Sequence, residues 1–567
     1  MPSTEGTMIR PLSARALLCP LLLVVCCTTH ASSEPSTSTP PPPPSVLYGP
    51  LFAAVQNARL FSDERTFADM APVGTPDRIV SGFERMKSQR GFNLGSFVFE
   101  HFLPPRRARP PAPADPRIAI DDHIDALWTE LARPADLPSS PDASWIAVPR
   151  PYLAPSPRFD DVRYWESYFV MLGLDADGRR AQVDDQIDDI AALIDRFGYM
   201  PASNRTYDLS HSGPPFFSLM VDLVARHEGP AAYVRYRPAL EREYAYWMDG
   251  ASQLPSDTAW RRAIRLSDGT VLNRYWDDRA APRDTSYRSD LLLASHAGSP
   301  FGKRAESLFR NLRAADESGW ALSSRWVADG QHVATLRTTS LVPVDLNALL
   351  YHLEVTLARG YRETGDRAHA ENLLLRAAQR KAAIERLMWD PKIDAFADLD
   401  WTSGKLTHIL TAATVYPLFL RTATPSQAAA VAQTVRDALL AKGGVMTTTI
   451  RSPWSWDAPY GWAPIQWMAV TGFNQYHFAD LARTIAKRWV QTSLDTYAQT
   501  GRLSERYDVV DPSRNAALIA NELSAETGAP SVVHGVGWSA GVLRAMLAAY
   551  PEIASTHTRG PDPRLTH

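Results

Sequence analysis

Three loops of this chain bring tryptophan, proline, glycine and carboxylates together: "YLAPSPRFDDVRYWESYF" from Tyr152 to Phe169, "LNRYWDDRAAPR" from Leu272 to Arg283, and "SPWSWDAPYGWAPIQW" from Ser452 to Trp467. An indole face covers the C–H face of a pyranose while carboxylates and guanidinium groups take its hydroxyls, so such loops suit a carbohydrate. Any one of them alone reads better as Trp and Pro packed beneath a long loop. The three together favour the sugar. A further stretch, "DESGWALSSRWV" from Asp316 to Val327, has the same palette but carries an alanine, Ala321, at its centre. Hydrolysis of a glycosidic bond needs one protonated carboxyl to help the leaving group and one ionised carboxylate to activate water, roughly 6.5 to 9.5 Å apart in an inverting enzyme. "LSERYDVV" offers Glu505 and Asp508. A glutamate in so polar a segment is, taken alone, more often a solvated surface residue than a base.

The elements that must position these loops are helical. "LNALLYHLEVTLARGYRETG" sets Leu346, Leu349, Leu350, Leu353 and Leu357 at helix spacing and stops at Gly365, and Asp366 caps the next pattern, which runs to Trp389 before Pro391. "TPSQAAAVAQTVRDALLAKGG" has Thr424 as N-cap, Pro425 in the first turn and Gly443 past the end. Similar patterns lie near Ile118 to Leu131, Val162 to Leu174, Gln186 to Phe197, Pro215 to Arg226, Pro238 to Met248, Leu406 to Phe419, Phe473 to Gln491 and Trp538 to Leu547. Paired helices with short joints, and no linker-like boundary after Pro113, predict one all-α domain. A toroid of helix pairs would leave its connecting loops to build a cleft at one end.

The 567 residues carry 59 Lys plus Arg against 62 Asp plus Glu, and the short "PPRRARPP" is the only basic cluster, so nothing asks for nucleic acid. Arg10 and Arg15 precede an apolar run from Ala16 to Cys27, with small residues at Ala31 and Ser32, which reads as an export signal too short to span a bilayer. The start is Met1 or Met8. All three cysteines, Cys19, Cys26 and Cys27, lie in this segment, so cleavage near Ala31 leaves no disulfide or thiolate metal site. A lipoprotein through Cys26 or Cys27 fits less well, because Val25 stands where such signals want a small residue. "SSEPSTSTPPPPPS" then reads as an extended tether.

With these residues in view the chain resembles the trehalases, inverting glycoside hydrolases on an (α/α)6 barrel that split α,α-trehalose into two glucoses. The likeness runs from Leu47 to Leu543. The family's first signature, P-G-G-R-F-x-E-x-Y-x-W-D-x-Y, falls on Pro155 to Tyr168, and the second, Q-W-D-x-P-x-G-W-A-P, on Ser455 to Pro464. "NRTY" at Asn204, "PPFF" at Pro214 and "LRTTSLVPVDLN" at Leu336 add family-like text. The resemblance implies that Glu505, in "SERYDV", is the base. It also implies that Ala321 occupies the position of the general acid, since the family reads S-G-W-D-x-S-S-R-W there. Substrate contacts implied at retained or near-retained positions are Arg158, Trp165, Glu166 (an Asp in the family), Arg283, Gly319, Trp456 and Asp457. Other implied contacts are replaced: Ser156 and Pro157 stand for two glycines, Ala202 for Asn, His211 for Arg, Gly213 for Gln, Thr285 for Glu, and Ala529 for the glutamate of the glycine-rich lid. Asp316 or Glu317 could substitute for the acid only by a different loop path. The resemblance thus implies either an enzyme weak on trehalose, a hydrolase of another α-glucoside, or a non-catalytic carbohydrate-binding protein. The expected partner is a small carbohydrate, with no cofactor, no metal, no membrane span in the mature chain, and a monomer as the simpler state.

The expected organisation is a signal peptide over 1–31, a tether over 32–46, a barrel domain over 47–550 and a polar tail over 551–567. Exported, periplasmic protein should therefore lack every cysteine. Intact-mass measurement checks this, and exported material that retained Cys19 would refute it.

Overall fold

The computed structural model describes residues 42–105, 114–135, 142–157, 159–524 and 536–554, without the side chains of 521–524 and 554. The expected signal peptide, all three cysteines, most of the tether and tail, Arg158 and Ala529 lie outside these residues. Of the tether, Pro44–Leu47 forms a helical turn in which Ser45 N donates to Asp284, and of the tail Pro551–Ala554 is helical.

Twelve helices among the described residues build a toroid. In chain order they are α1 (Ile120–Leu131), α2 (Tyr164–Ala176), α3 (Arg180–Phe197), α4 (Phe217–Glu228), α5 (Ala231–Trp247), α6 (Val344–Glu363), α7 (Arg367–Leu387), α8 (Tyr416–Phe419), α9 (Pro425–Thr434), α10 (Ala463–Gln475), α11 (Ala479–Thr500) and α12 (Gly537–Ala549). The even-numbered helices close a ring, α2 on α4, α4 on α6, α6 on α8, α8 on α10, α10 on α12 and α12 back on α2. Odd-numbered helices cover its outside: α3 packs on α2 and α4, α5 on α4 and α6, α7 on α6, α11 on α10, and α1 on α12. This is the expected (α/α)6 barrel. Ring helices are apolar on all sides because each is enclosed; α2 buries every residue from Ser167 to Leu174. The strands are pairs and triplets of two or three residues that clip loops together.

The predicted punctuation largely forms. Asp366 accepts from His369 N, Thr424 and Gln427 make a reciprocal capping box, and Gly365 turns with φ +81°. Three expectations fail for local reasons. Pro238 does not start a helix but lies inside α5, on its exposed side, where the carbonyl left without a donor faces water. The pattern from Leu406 to Phe419 is mostly loop, with a strand at Lys405–Leu406 and a 3-10 turn over Ala412–Val415 leading into the short α8. The pattern from Phe473 to Gln491 breaks between α10 and α11, where His477 adopts φ +67°. Apolar periodicity continued through that turn because both helices bury the same kind of face.

Residues 42–105 form helices over Gly49–Asn57, Pro76–Met86 and Leu94–His101 around their own aromatic cluster, including Tyr48, Phe52, Phe67, Phe97 and Phe102. Asp161, fully buried, ties this segment to the loop ahead of α2: Arg65 pairs with it, Arg205 Nε donates to it at 2.9 Å, and Arg163 lies 3.4 Å away. Burial alone would raise this carboxyl; the three guanidinium groups outweigh it and hold it well below the usual range.

The closest approach in the ring is between α2 and α12. A Cβ on Gly541 would lie 2.0 Å from the carbonyl oxygen of Phe169, and one on Gly173 would lie 2.5 Å from Gly541 Cα. Neither helix can retreat without opening the ring. Gly541→Ala should therefore destabilise the protein by about 3 kcal/mol or more, while Gly74→Ala, with nothing within 4 Å of its Cβ, should be near neutral. Chemical-denaturation midpoints test the pair; equal midpoints would contradict the packing.

Candidate active site

The amino ends of the ring helices meet at one end of the barrel, and the singled-out residues gather there. α2 starts with Tyr164 and places Trp165 and Glu166 in its first turn; α12 starts with Gly537 and Trp538; the loop from Ser452 runs into α10 through Trp462. These segments are joined by indoles. Trp456 stacks on Trp462 at 4.1 Å and on Trp320 at 5.1 Å, and Trp165 lies 6.1 Å from Trp456 and 5.5 Å from Trp538. All five are buried and pack against one another. Gly319 turns against this floor with φ +74°, and a Cβ there would lie 2.7 Å from the Trp165 ring. Only glycine passes at that distance.

Ala321 is half-buried in the turn between the helix Lys303–Glu317 and the 3-10 turn Ser324–Trp326. The next residues are fixed on both sides. Asp457, fully buried, accepts from Ser323 Oγ at 2.8 Å, from Ser324 N at 2.9 Å and Ser324 Oγ at 2.8 Å, and also from Thr448 and Ser452 hydroxyls. Arg325 is clamped bidentately by Asp345 at 2.8 and 2.9 Å and by Asp398 at 2.7 and 2.9 Å. Asp457 is thus occupied by protein donors. These serine, Asp345 and Asp398 partners were not singled out in the sequence, although Ser323–Trp326 and Asp345 sit within family-like text.

The carboxylates flanking Ala321 are engaged elsewhere. Both oxygens of Asp316 accept from Arg283 Nη1 at 2.9 Å, and Arg283 also binds Asp290 at 2.6 and 3.0 Å. Glu317 accepts from Ser212 N, Tyr246 OH, Arg262 Nε and Trp276 N at 2.6 to 3.1 Å. Arg283 is therefore tied through Asp316 to the helix end that leads to Ala321, with its guanidinium already paired. His211 Nδ1 lies 2.9 Å from Asp277, which Arg313 also binds.

Glu505 precedes the strand Arg506–Asp508, which pairs antiparallel with Tyr460–Trp462 so that Arg506 faces Trp462. This sets Glu505 beside the indole floor, half-buried and in contact with the Arg506 guanidinium. Ser539 Oγ, in the first turn of α12, donates to Ser504 O at 2.7 Å and anchors the same segment. Asp508 is instead a buried loop anchor that accepts from Val510 N and Asp511 N. Glu166 has no hydrogen bond or ion pair among the described residues. Burial pushes its carboxyl above the usual range, Arg163 opposes this and Asp161 adds to it. No group of three or more His, Asp or Glu among the described residues is arranged to hold a metal ion, and no described helix is long and apolar enough to cross a membrane.

Residues 59–551 match the family model described as Trehalase. The chain is 40% identical over 502 residues to the periplasmic trehalase of Escherichia coli strain SMS-3-5 / SECEC, covering 88% of this chain and 86% of that protein, and equally similar to the one from strain O6:H1 CFT073. Among solved structures it is similar to the neutral trehalase Nth1 from Saccharomyces cerevisiae, with a TM-score of 0.57 and 22% identity over 76% of this chain and 80% of that one. The family-like loops, the six-helix ring and these matches agree, and the chain belongs to the trehalase family of glycoside hydrolases.

Proposed function

We propose that this protein is exported to the periplasm, holds a trehalose-like α-glucoside at the indole floor, and hydrolyses trehalose slowly or not at all. The observation that carries the reading is the environment of Ala321. It stands at the family's acid position, and neither neighbouring carboxylate is available: Asp316 is held by Arg283, and Glu317 by four donors. Loss of a general acid removes typically about 10²- to 10⁴-fold of rate. The substrate contacts proposed for this chain are Arg158, Trp165, Glu166, Gly319 and Trp456; Arg283, held by Asp290 and Asp316, is a positioning residue. Asp457 is a positioning residue in this reading, acting through Ser323 and Ser324.

Glu505 supports a second reading, hydrolysis of an α-glucoside whose leaving group needs no proton. As base it would activate water for attack on the anomeric carbon; the water's proton passes to the carboxylate and the leaving group departs with the bonding electrons. An α-glucosyl fluoride is such a substrate.

The test compares the natural chain, Ala321→Asp, and Ala321→Asp combined with Gly213→Gln, His211→Arg and Thr285→Glu on trehalose and α-glucosyl fluoride. We expect trehalose turnover to be at least about 10²-fold below an active trehalase and the single substitution not to restore it, because each missing hydrogen bond to a sugar hydroxyl costs about 1 kcal/mol. Fast trehalose hydrolysis by the natural chain would end the reading, and fast hydrolysis by Ala321→Asp alone would show that only the acid was missing. Fluoride turnover abolished by Glu505→Gln would assign the base.

A further inference from the structure

The barrel has a second opening, at the carboxyl ends of the ring helices. A cavity of about 350 Å³ lies there, lined from α2, α4, α6, α8 and α10. Its walls follow helical spacing: Asp222 and Arg226 on α4, His352 and Arg359 on α6, Trp467, Thr471 and Gln475 on α10. It starts one turn below the indole floor, since Tyr168 lines it and Trp165 does not. Phe216 lies between the two, 5.4 Å from Tyr168 and 5.9 Å from Trp165. The volume is that of a small-molecule site, and aromatic walls with a few convergent polar groups are its usual lining.

Cations gather at helix carboxyl ends to meet the backbone dipole, which explains Arg226 in the last turn of α4 and Arg359 one turn from the end of α6. Both also have carboxylates: Arg359 donates to Asp222 at 3.2 Å and Arg226 lies 3.7 Å from Asp175. His352 is held between Ser218 Oγ at 2.8 Å and Asp222 at 3.0 Å. Ser218 is fully buried, so this row cannot act as a nucleophile on anything in the cavity. Arg421 differs. It follows Leu420, the C-cap of α8, at the position where glycine normally turns a helix end, and adopts φ +59°. It lines the cavity, and its side chain makes no hydrogen bond or ion pair among the described residues. The left-handed turn completes the helix stop, with Arg421 N donating to Leu418 O at 3.3 Å and Thr422 N to Pro417 O at 2.8 Å, so what the packing leaves unused is the charge at the cavity wall.

We propose that this cavity binds a small polyhydroxylated anion of hexose size, a sugar phosphate or sugar acid. Arg421 and Arg226 face its anionic group, Tyr168 and Trp467 cover its ring, and Thr471 and Gln475 meet its hydroxyls, while Asp222 is taken by Tyr233, His352 and Arg359. The site is separate from the indole floor and does not depend on the reading of that floor.

The experiment measures binding by calorimetry and thermal shift on the full chain with glucose 6-phosphate, glucuronate, neutral glucose and inorganic phosphate. Comparison is with Arg421→Gly and Arg226→Gln. The hexose anions should bind and stabilise the natural chain, glucose and inorganic phosphate should do so at least about tenfold more weakly, and each variant should weaken the anions by about tenfold. Arg421→Gly should also melt no lower than the natural chain when ligand is absent, because glycine relieves the φ strain at an exposed position. Undiminished binding to Arg421→Gly would overturn the proposal and place the anion elsewhere. Equal binding of inorganic phosphate would overturn it by showing only an adventitious anion, and no binding of either hexose anion would overturn it outright.

Discussion

The buried guanidinium of Arg325 is the fixed point of the barrel end that carries the indole floor. It is 1% exposed, lies between two equally dry carboxylates, Asp345 at the start of α6 and Asp398 in the loop that follows α7, and is flanked by the rings of Trp320 and Trp326 at 4.8 and 4.4 Å. Removing one partner of such a buried pair costs about 3 to 5 kcal/mol, so the backbone through residue 325 has one path. Asp457 fixes the two preceding serines to the other signature loop. With Ser323, Ser324 and Arg325 immobile and Gly319 against the Trp165 ring, the intervening residues have no freedom to slide. This rigidity keeps Asp316 and Glu317 away from Ala321: both lie upstream of Gly319 and are directed into other pairs.

The same rigidity separates the scaffold from the chemistry. The barrel end is built by groups that bind one another: Asp161 with three arginines, Glu317 with four donors, Asp457 with serines, and indoles with indoles. None of these contacts needs a sugar, so the barrel end is held together by protein partners alone. His211 illustrates the point, since it has the buried partner Asp277 within the protein.

The fold was largely legible because an enclosed ring helix needs an apolar face on every side, its outer partner one stripe, and capping residues mark both. Asp366, Thr424 and Gly365 acted as their types predicted. What spacing could not reveal was competition between partners far apart in sequence. Arg283 and Asp457 belong to loops of the right composition, yet their hydrogen-bonding capacity is taken by Asp290, Asp316, Ser323 and Ser324. No local pattern announces that, nor that Trp456 lies against two indoles. Pro238 and the 406–419 stretch misled for the opposite reason: tertiary exposure and a clipped turn overrode local signals that pointed elsewhere.

One backbone property links the two ends of the barrel. All the ring helices that carry site residues start at the indole floor, so their positive dipole ends converge where Glu166 and Glu505 lie, and their negative ends converge where Arg226, Arg359 and Arg421 lie. The dipole favours an ionised Glu166 in the first turn of α2, yet its carboxyl is held above the usual range, so burial outweighs both the helix end and Arg163 there. At the opposite end the arginines are more exposed and the balance reverses: the helix ends and nearby carboxylates favour charges that solvent also favours. The toroid therefore has two electrostatically opposite mouths, one that holds carboxylates in a dry setting and one that presents cations to solvent. A ligand matched to one is mismatched to the other, because the side chains that the two sets of helix ends gather carry opposite charge.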